Sequence, residues 1–286
     1  MDVVFVILNY NSIYDTEEAI EYISANVDTD NYGVVIVDNA SPNGDGEELK
    51  QYYSDNTNVV VIQSEENLGF ARGNNLGFAY AKKNLSPDFI VMMNSDILLL
   101  ETKLYSKIKD LYDKYQFAVL GPTVVNSEYE THSNPHKCCI NTIEDVDVQI
   151  YKNSRNIILA KLKIDWIKNW IVKMRHDKYD MNYKTFCNVQ RNVLLTGCIW
   201  IFSEIYIKEF NGIDQRTFMY HEEEILFHHM KNKGMEMIYV PDIVVYHKGE
   251  VSTKTVYRSK RNRRIFNCLE SNKSLEVLKE IIKEEQ

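Results

Sequence analysis

The sequence lacks any apolar run of membrane-spanning length: 44% of its 286 residues are hydrophobic, yet the longest clean stretches are strand-sized, against the roughly 18 residues a spanning helix requires. It lacks a basic leader as well. Met1-Asp2 passes at once into Val3-Val4-Phe5-Val6-Ile7-Leu8, with no basic start and no small-residue cleavage site, a pattern that predicts a first strand in a cytoplasmic protein rather than a signal peptide. No Cys-x-x-Cys pair occurs among the five cysteines (Cys138, Cys139, Cys187, Cys198, Cys268), which argues against a structural zinc or redox motif and for reduced, mostly buried thiols. Excess positive charge is missing too: the net charge of −8 argues against a general nucleic-acid binder. The dinucleotide glycine fingerprint is absent, because Gly69, Gly73 and Gly77 recur every four residues. Neither repeats nor low-complexity tracts occur.

What remains is a globular composition, 26% charged, long enough for one large domain or two modest ones. Strand-like runs at Val3–Leu8, Gly33–Val37, Val59–Gln63, Phe89–Met93 and Phe117–Leu120 are separated by helical spacing around Thr16–Asn26, Glu47–Ser54, Ala71–Asn84 and Lys103–Tyr115. This alternation predicts βαβ units and a mainly parallel sheet with its strand-to-helix turns on one edge. Residues 126 to about 192 break the rhythm. Order returns with a strand at Leu194–Phe202, helices at Glu204–Phe210 and Glu223–Lys233, short strands at Met237–Val240 and Ile243–Tyr246 around Pro241, and a charged amphipathic helix from Ser271 to Gln286.

Three polar segments stand where apolar runs stop, which is where an open α/β sheet collects ligands. Asp38, after Val34-Val35-Ile36-Val37, can accept hydrogen bonds from a ribose or a base N–H. Asp38-Asn39-Ala40-Ser41 equally fits an Asx turn capping the next helix. Asn94-Ser95-Asp96, after Phe89-Ile90-Val91-Met92-Met93, offers one carboxylate to a divalent cation that bridges two phosphates; taken alone, it is also a common turn. His221-Glu222-Glu223-Glu224 can hold a general base, or form an acidic first turn favoured by the helix dipole. Between them, Glu66-Asn67-Leu68-Gly69-Phe70-Ala71-Arg72-Gly73-Asn74-Asn75-Leu76-Gly77 enters a helix whose N-terminus can face a phosphate. Its glycines suit close packing on the sheet, and Arg72, Asn74 and Asn75 are left as binding candidates. His247 ends the last apolar run, as a metal ligand or a structural imidazole.

Taken in order, Ile7-Leu8-Asn9-Tyr10-Asn11, Val37-Asp38-Asn39-Ala40-Ser41, the 66–75 segment, Asn94-Ser95-Asp96, Phe218-Met219-Tyr220-His221-Glu222-Glu223 and Val245-Tyr246-His247 resemble family 2 glycosyltransferases of the GT-A fold, in particular the bacterial rhamnosyltransferase-like branch. The resemblance covers roughly 1–125 and 193–265. It implies a Rossmann-like α/β core, with a mainly parallel sheet and flanking helices, plus a mostly helical insertion and C-terminal helices. It also implies donor-binding residues Asn9, Asp38 (on the base), Asn67, Arg72, Asn75 and Asn94, a Mn²⁺ or Mg²⁺ site at Asp96 and His247, and a catalytic base at Glu223 with Glu222 as the substitute. The implied substrates are a nucleoside-diphosphate sugar (a UDP-sugar or dTDP-rhamnose) and a saccharide or lipid-linked saccharide acceptor, with inversion, in surface polysaccharide synthesis. Two positions depart from the family pattern: Asn94 stands where many relatives carry an acid, and Ile225 deletes an acid from the Glu-Asp-x-Asp-Leu motif.

The expected division is a nucleotide-sugar half at 1–125, an acceptor- or membrane-side insertion at 126–192, an acceptor-side half carrying the base at 193–250, and a basic segment with a C-terminal helix at 251–286. Within the insertion, Lys161, Lys168 and Arg175 lie opposite Leu159, Leu162, Trp166 and Trp170 on a helical projection, with Lys173 falling on the apolar side. Such a helix over 157–178 suits peripheral contact with an anionic bilayer, a lid, or an oligomer contact. Lys254–Arg264 carries six basic residues and no acid, for a diphosphate, an anionic surface or solvent. A homo-oligomer is compatible with this reading, and nucleic acid is not an expected partner. A sugar nucleotidyltransferase fits the sheet but lacks the Gly-rich N-terminal loop. A non-catalytic nucleotide-sugar-binding subunit is the rival from another class.

Overall fold

The computed structural model describes residues 1–126, 134–136, 139–164, 187–249 and 259–285. β1 (Val3–Asn9), β2 (Tyr32–Asp38), β3 (Val59–Gln63) and β4 (Phe89–Asn94) pair in parallel, in the order β3-β2-β1-β4. β8 (Ile199–Ser203) runs antiparallel between β4 and β6 (Val119–Val125). β9 (Met237–His247) follows parallel to β6, with β5 (Ile97–Leu99) and β7 (Gln190–Arg191) antiparallel on β9. The inner strands are apolar on both faces, as a sheet covered on both sides requires. Val3, Phe5 and Ile7 point into one core with α1 (Ile13–Asn26) and α4 (Leu104–Tyr115), while Val4 and Val6 point into another with α3 (Gly69–Tyr80), α6 (Glu204–Glu209) and α7 (Glu222–Lys233). α2 (Asp45–Tyr52) follows β2, and a π turn at Ala81–Leu85 closes α3.

A third apolar cluster belongs to helices alone. Val146 of α5 (Ile143–Lys161), Ile225 of α7, and Leu275, Leu278, Ile281 and Ile282 of α8 (Lys260–Glu284) pack together and are 0–2% exposed. α5 starts at a reciprocal capping box, in which Thr142 and Asp145 bond each other's backbone N–H groups.

Several expected boundaries move. The strand expected at Phe117–Leu120 begins at Val119 and continues through Gly121-Pro122 to Val125. The run expected from Leu194 forms its strand only after the Gly197-Cys198 turn. The two short strands around Pro241 are one, with a register irregularity opposite Pro122/Thr123 where Pro241 supplies no N–H. The terminal helix begins eleven residues before Ser271, at Lys260, so part of the basic segment is helical. Residues 165–178 of the expected basic amphipathic helix, and 254–258 of the basic segment, lie outside the described residues.

Candidate active site

Parallel pairing of β1 and β2 sets Asn9 beside Asp38. The buried Asn9 amide donates to Asp38 Oδ1 at 2.8 Å, and to Ser41 Oγ and Asp45 Oδ2 at 3.3 Å; its oxygen accepts the hydroxyls of Ser12 (3.1 Å) and Thr16 (2.8 Å). Asp38 also takes the Ser41 hydroxyl (2.5 Å) and N–H (3.1 Å), so it is both the strand-end carboxylate and the Asx-turn acceptor. The next side chain, Asn39, is a latch: its amide donates to Asn67 Oδ1 and the Gly69 carbonyl, both at 3.1 Å, and its oxygen accepts Leu68 N–H at 2.8 Å. Arg72 is exposed, its Nε on the Leu68 carbonyl at 3.3 Å. Both amide atoms of Asn75 are committed to the Ile213 backbone, at 2.7 and 2.8 Å.

At the other side of β1, Ser95 Oγ lies 3.0 Å from Ser12 Oγ. Asp96 Oδ2 meets His247 Nε2 at 3.2 Å, because β5 and β9 pair Ile97 with His247. Lys248 donates its N–H to the Asp96 carbonyl (3.1 Å), and its ammonium bonds Asp15 and Glu18 of α1. The segment after β9 is thereby tied to α1.

The acidic run opens α7. Glu222 is 6% exposed, its Oε1 has no hydrogen-bond partner among the described residues, and burial, then the Glu223 charge, pushes its carboxyl up to about 7. Glu223 is raised by burial and then by Glu224, against the opposing Gly197 N–H and His136. Burial also acts to raise Glu224, but the His221 hydrogen bond and charge more than offset it and hold this carboxyl low. His221 bridges Glu224 (3.4 Å) and Ser271 Oγ of α8 (2.8 Å). Sequence reasoning missed His136, whose charge acts to lower both Glu223 and Glu224; its N–H bonds the Leu194 carbonyl (2.9 Å), and the nearby Asn134 side chain bonds the Pro122 carbonyl (2.8 Å) and Thr196 N–H (3.1 Å), and no spacing signal marks it.

One turn joins the two halves. Gly197 N–H donates to Glu223 Oε1 at 3.2 Å, and the neighbouring Cys198 carbonyl accepts Asn94 N–H at 2.9 Å. The buried Cys198 thiol, pushed up to about 12 by burial, also senses the charges of both Asp96 and Glu223. The turn thus bonds the helix-start acid with one residue and the strand end before Asp96 with the next. A family model described as glycosyl transferase family 2 matches residues 4–183.

The chain belongs to this family. It is 24% identical to the rhamnosyltransferase WbbL of Escherichia coli K12 over 239 residues, covering 81% of this chain and 78% of that protein. It is 28% identical over 130 residues to the low-salt glycan biosynthesis hexosyltransferase Agl10 of Haloferax volcanii, covering 44% of this chain and 38% of that protein. The fold is that of Staphylococcus aureus TarS, solved as residues 1–349 with UDP-GlcNAc (TM-score 0.54, 12% identity, 94% of this chain and 64% of that one), and of GalNAc-T7 with UDP, GalNAc and Mn²⁺ (TM-score 0.57, 12%, 87% and 43%). This chain thus spans less than half the length of Agl10 and of GalNAc-T7.

For a family 2 protein, the donor set at Asp96 and His247 fits a hard divalent ion as far as it goes: one carboxylate oxygen and one imidazole nitrogen, 3.2 Å apart. Among the described residues no cluster of three His, Cys, Asp or Glu side chains is gathered around one point. An ion here would complete its shell from phosphate oxygens and water, as Mg²⁺ in phosphate sites commonly does.

Proposed function

We propose that this chain is an inverting glycosyltransferase that moves a sugar from a nucleoside diphosphate to a saccharide or lipid-linked saccharide on the cytoplasmic side of surface polysaccharide synthesis. The observation that carries the reading is the Gly197-Cys198 turn, which bonds Glu223 with one residue and the Asn94-Ser95-Asp96 turn with the next. A base and a diphosphate site belong side by side in a displacement at an anomeric carbon.

Glu223, raised by burial, takes the proton of an acceptor hydroxyl as that oxygen attacks, and the nucleoside diphosphate leaves from the opposite face. Asp38 and its partners Asn9 and Ser41 orient the nucleoside; Asn67, Arg72 and Asn94 border the same edge. Asp96 and His247 would hold Mn²⁺ or Mg²⁺, which supplies charge neutralisation for the leaving diphosphate. Likeness to the named rhamnosyltransferase and to neighbours solved with UDP makes dTDP-rhamnose and UDP-sugars the first donors to try.

The test is release of UDP or dTDP from a panel of nucleotide sugars, with and without Mn²⁺, for the wild type and Asp96→Ala. Metal-dependent release from one donor, reduced about 100-fold or more in the variant, is expected. Equal rates would remove Asp96 from the site. Donor binding without turnover, even with acceptors supplied, would favour the non-catalytic subunit that Asn94 and Ile225 first suggest.

A further inference from the structure

α5 carries a surface that the transfer reaction does not use. Its buried side (Val146, Asn153, Ile157, Ala160) faces α8. On the opposite side Val148, Tyr151, Ile158 and Leu162 are 50%, 68%, 57% and 62% exposed. At 100° per residue they fall within about 80° of arc and run for about 21 Å along the helix. They form two exposed apolar pairs, Val148/Tyr151 and Ile158/Leu162, with Arg155 between them on the same arc; large apolar side chains grouped on one exposed face mark an interaction surface, whereas scattered ones do not.

Along the stripe itself the charges have one sign. From Val148 to Lys163 the chain contains Lys152, Arg155, Lys161 and Lys163 and no acid, and all four cations are exposed. Acids stand only at the N-terminal end of α5: Asp145 in the capping box, Asp147 in an ion pair with Lys279 of α8, and the exposed Glu144 one turn before Val148. We propose that this face of α5 seats on the anionic headgroup surface of a lipid bilayer. Apolar side chains enter the headgroup–acyl boundary while flanking cations meet lipid phosphates, the arrangement of an interfacial helix. Four cations over 148–163 match an anionic surface better than a protein face of mixed charge.

The face is wired to the candidate base. Asn153, on the buried side of α5, donates to Ser271 Oγ at 2.9 Å, and that oxygen lies 2.8 Å from His221 Nε2, directly before the acidic run. Given the transferase reading, on which this consequence alone rests, the acceptor is the lipid-linked one, with its saccharide presented from the same bilayer.

Sedimentation of the full chain with vesicles of phosphatidylcholine, alone or mixed with phosphatidylglycerol, tests the surface without reference to activity. Binding to the mixed vesicles, weak binding to phosphatidylcholine alone and loss at high salt are expected, with at least a fivefold drop in bound fraction for Ile158→Asp/Leu162→Asp and for Val148→Asp/Tyr151→Asp. Circular dichroism and thermal melting would show that each pair still folds; if one pair does not, the other decides. Equal binding of the wild type and a folded variant would overturn the proposal. So would absence of vesicle binding, including the case in which the variants convert a dimer to a monomer, because the stripe would then be a contact between copies. Failure of donor turnover would leave the vesicle result standing, so the two readings fail separately.

Discussion

At the scale of single residues, two adjacent carboxyls differ in what surrounds them. Glu223 touches the Gly197 N–H, and a Cβ at position 197 would lie 2.8 Å from Glu223 Oε1, so this approach requires glycine. Glu223→Gln keeps the shape and removes the basicity; turnover is expected to fall about 10²–10⁴-fold with nucleotide affinity unchanged, as steady-state kinetics and calorimetric titration of UDP or dTDP would show. Glu222 is sealed inside with one oxygen unpartnered among the described residues. Its folded pKa of about 7 lies above the ordinary 4.5. The native state therefore favours the protonated form, and stability present below about pH 4.5 is lost as pH rises through 7, by on the order of 3 kcal/mol at most. Glu222→Gln cannot ionise. Its melting temperature relative to wild type is expected to rise between pH 5 and pH 8, and a pH-independent difference would refute the buried-acid account.

At the scale of elements, the β3–α3 turn shows what glycine spacing hides. Gly77 and Gly73 read as packing positions, and Cβ atoms there would meet Val6 Cγ1 at 2.5 Å and Leu8 Cδ1 at 2.7 Å. Gly69 has another task. It sits at φ +77° with a Cβ position only 2.2 Å from the Phe218 carbonyl, which accepts the next N–H, that of Phe70, at 2.7 Å. Gly69→Ala is expected to cost about 2 kcal/mol or more and to weaken nucleotide binding, because the Asn39 latch closes on the Gly69 carbonyl. Thermal melts together with nucleotide titration would check both effects; an unchanged melt would mean that the Phe218 backbone moves aside freely.

At the scale of the whole molecule, α8 is a structural member of the acidic site. Leu275, Leu278, Ile281 and Ile282 are 0–2% exposed, against Val146 and Ile225. Ser274 donates to the Met219 carbonyl at 3.0 Å, and Ser271 holds His221. Burying four such side chains is worth about 6–12 kcal/mol, comparable to the entire stability of a domain. A chain ending at Arg258 is expected to lose cooperative unfolding and to precipitate or bind ANS; a truncated chain with a sharp melt would show that α8 is dispensable. Ile225, where the family resemblance leads one to expect an acid, packs in the cluster of α8, so at this position the chain has packing in place of charge.

The sequence by itself determined the βαβ half and the location of the polar strand ends, because these are local properties: apolar runs flanked by turns, period-2 and period-3.6 spacing, and carboxylates directly after strands. It also placed Asp96, His247 and Glu223 as candidates one by one. Only the tertiary structure decided that Asp96 and His247, 151 residues apart, sit at 3.2 Å, that Gly197-Cys198 links Asn94 to Glu223, and that the His136 N–H bonds the Leu194 carbonyl. Those juxtapositions depend on β8 inserting antiparallel between β4 and β6 and on β5 pairing with β9, and no short-range pattern encodes the register of strands so far apart. The exposed stripe of α5 is of the same kind: its spacing is visible in the sequence, but which side of the helix faces α8 follows only from packing.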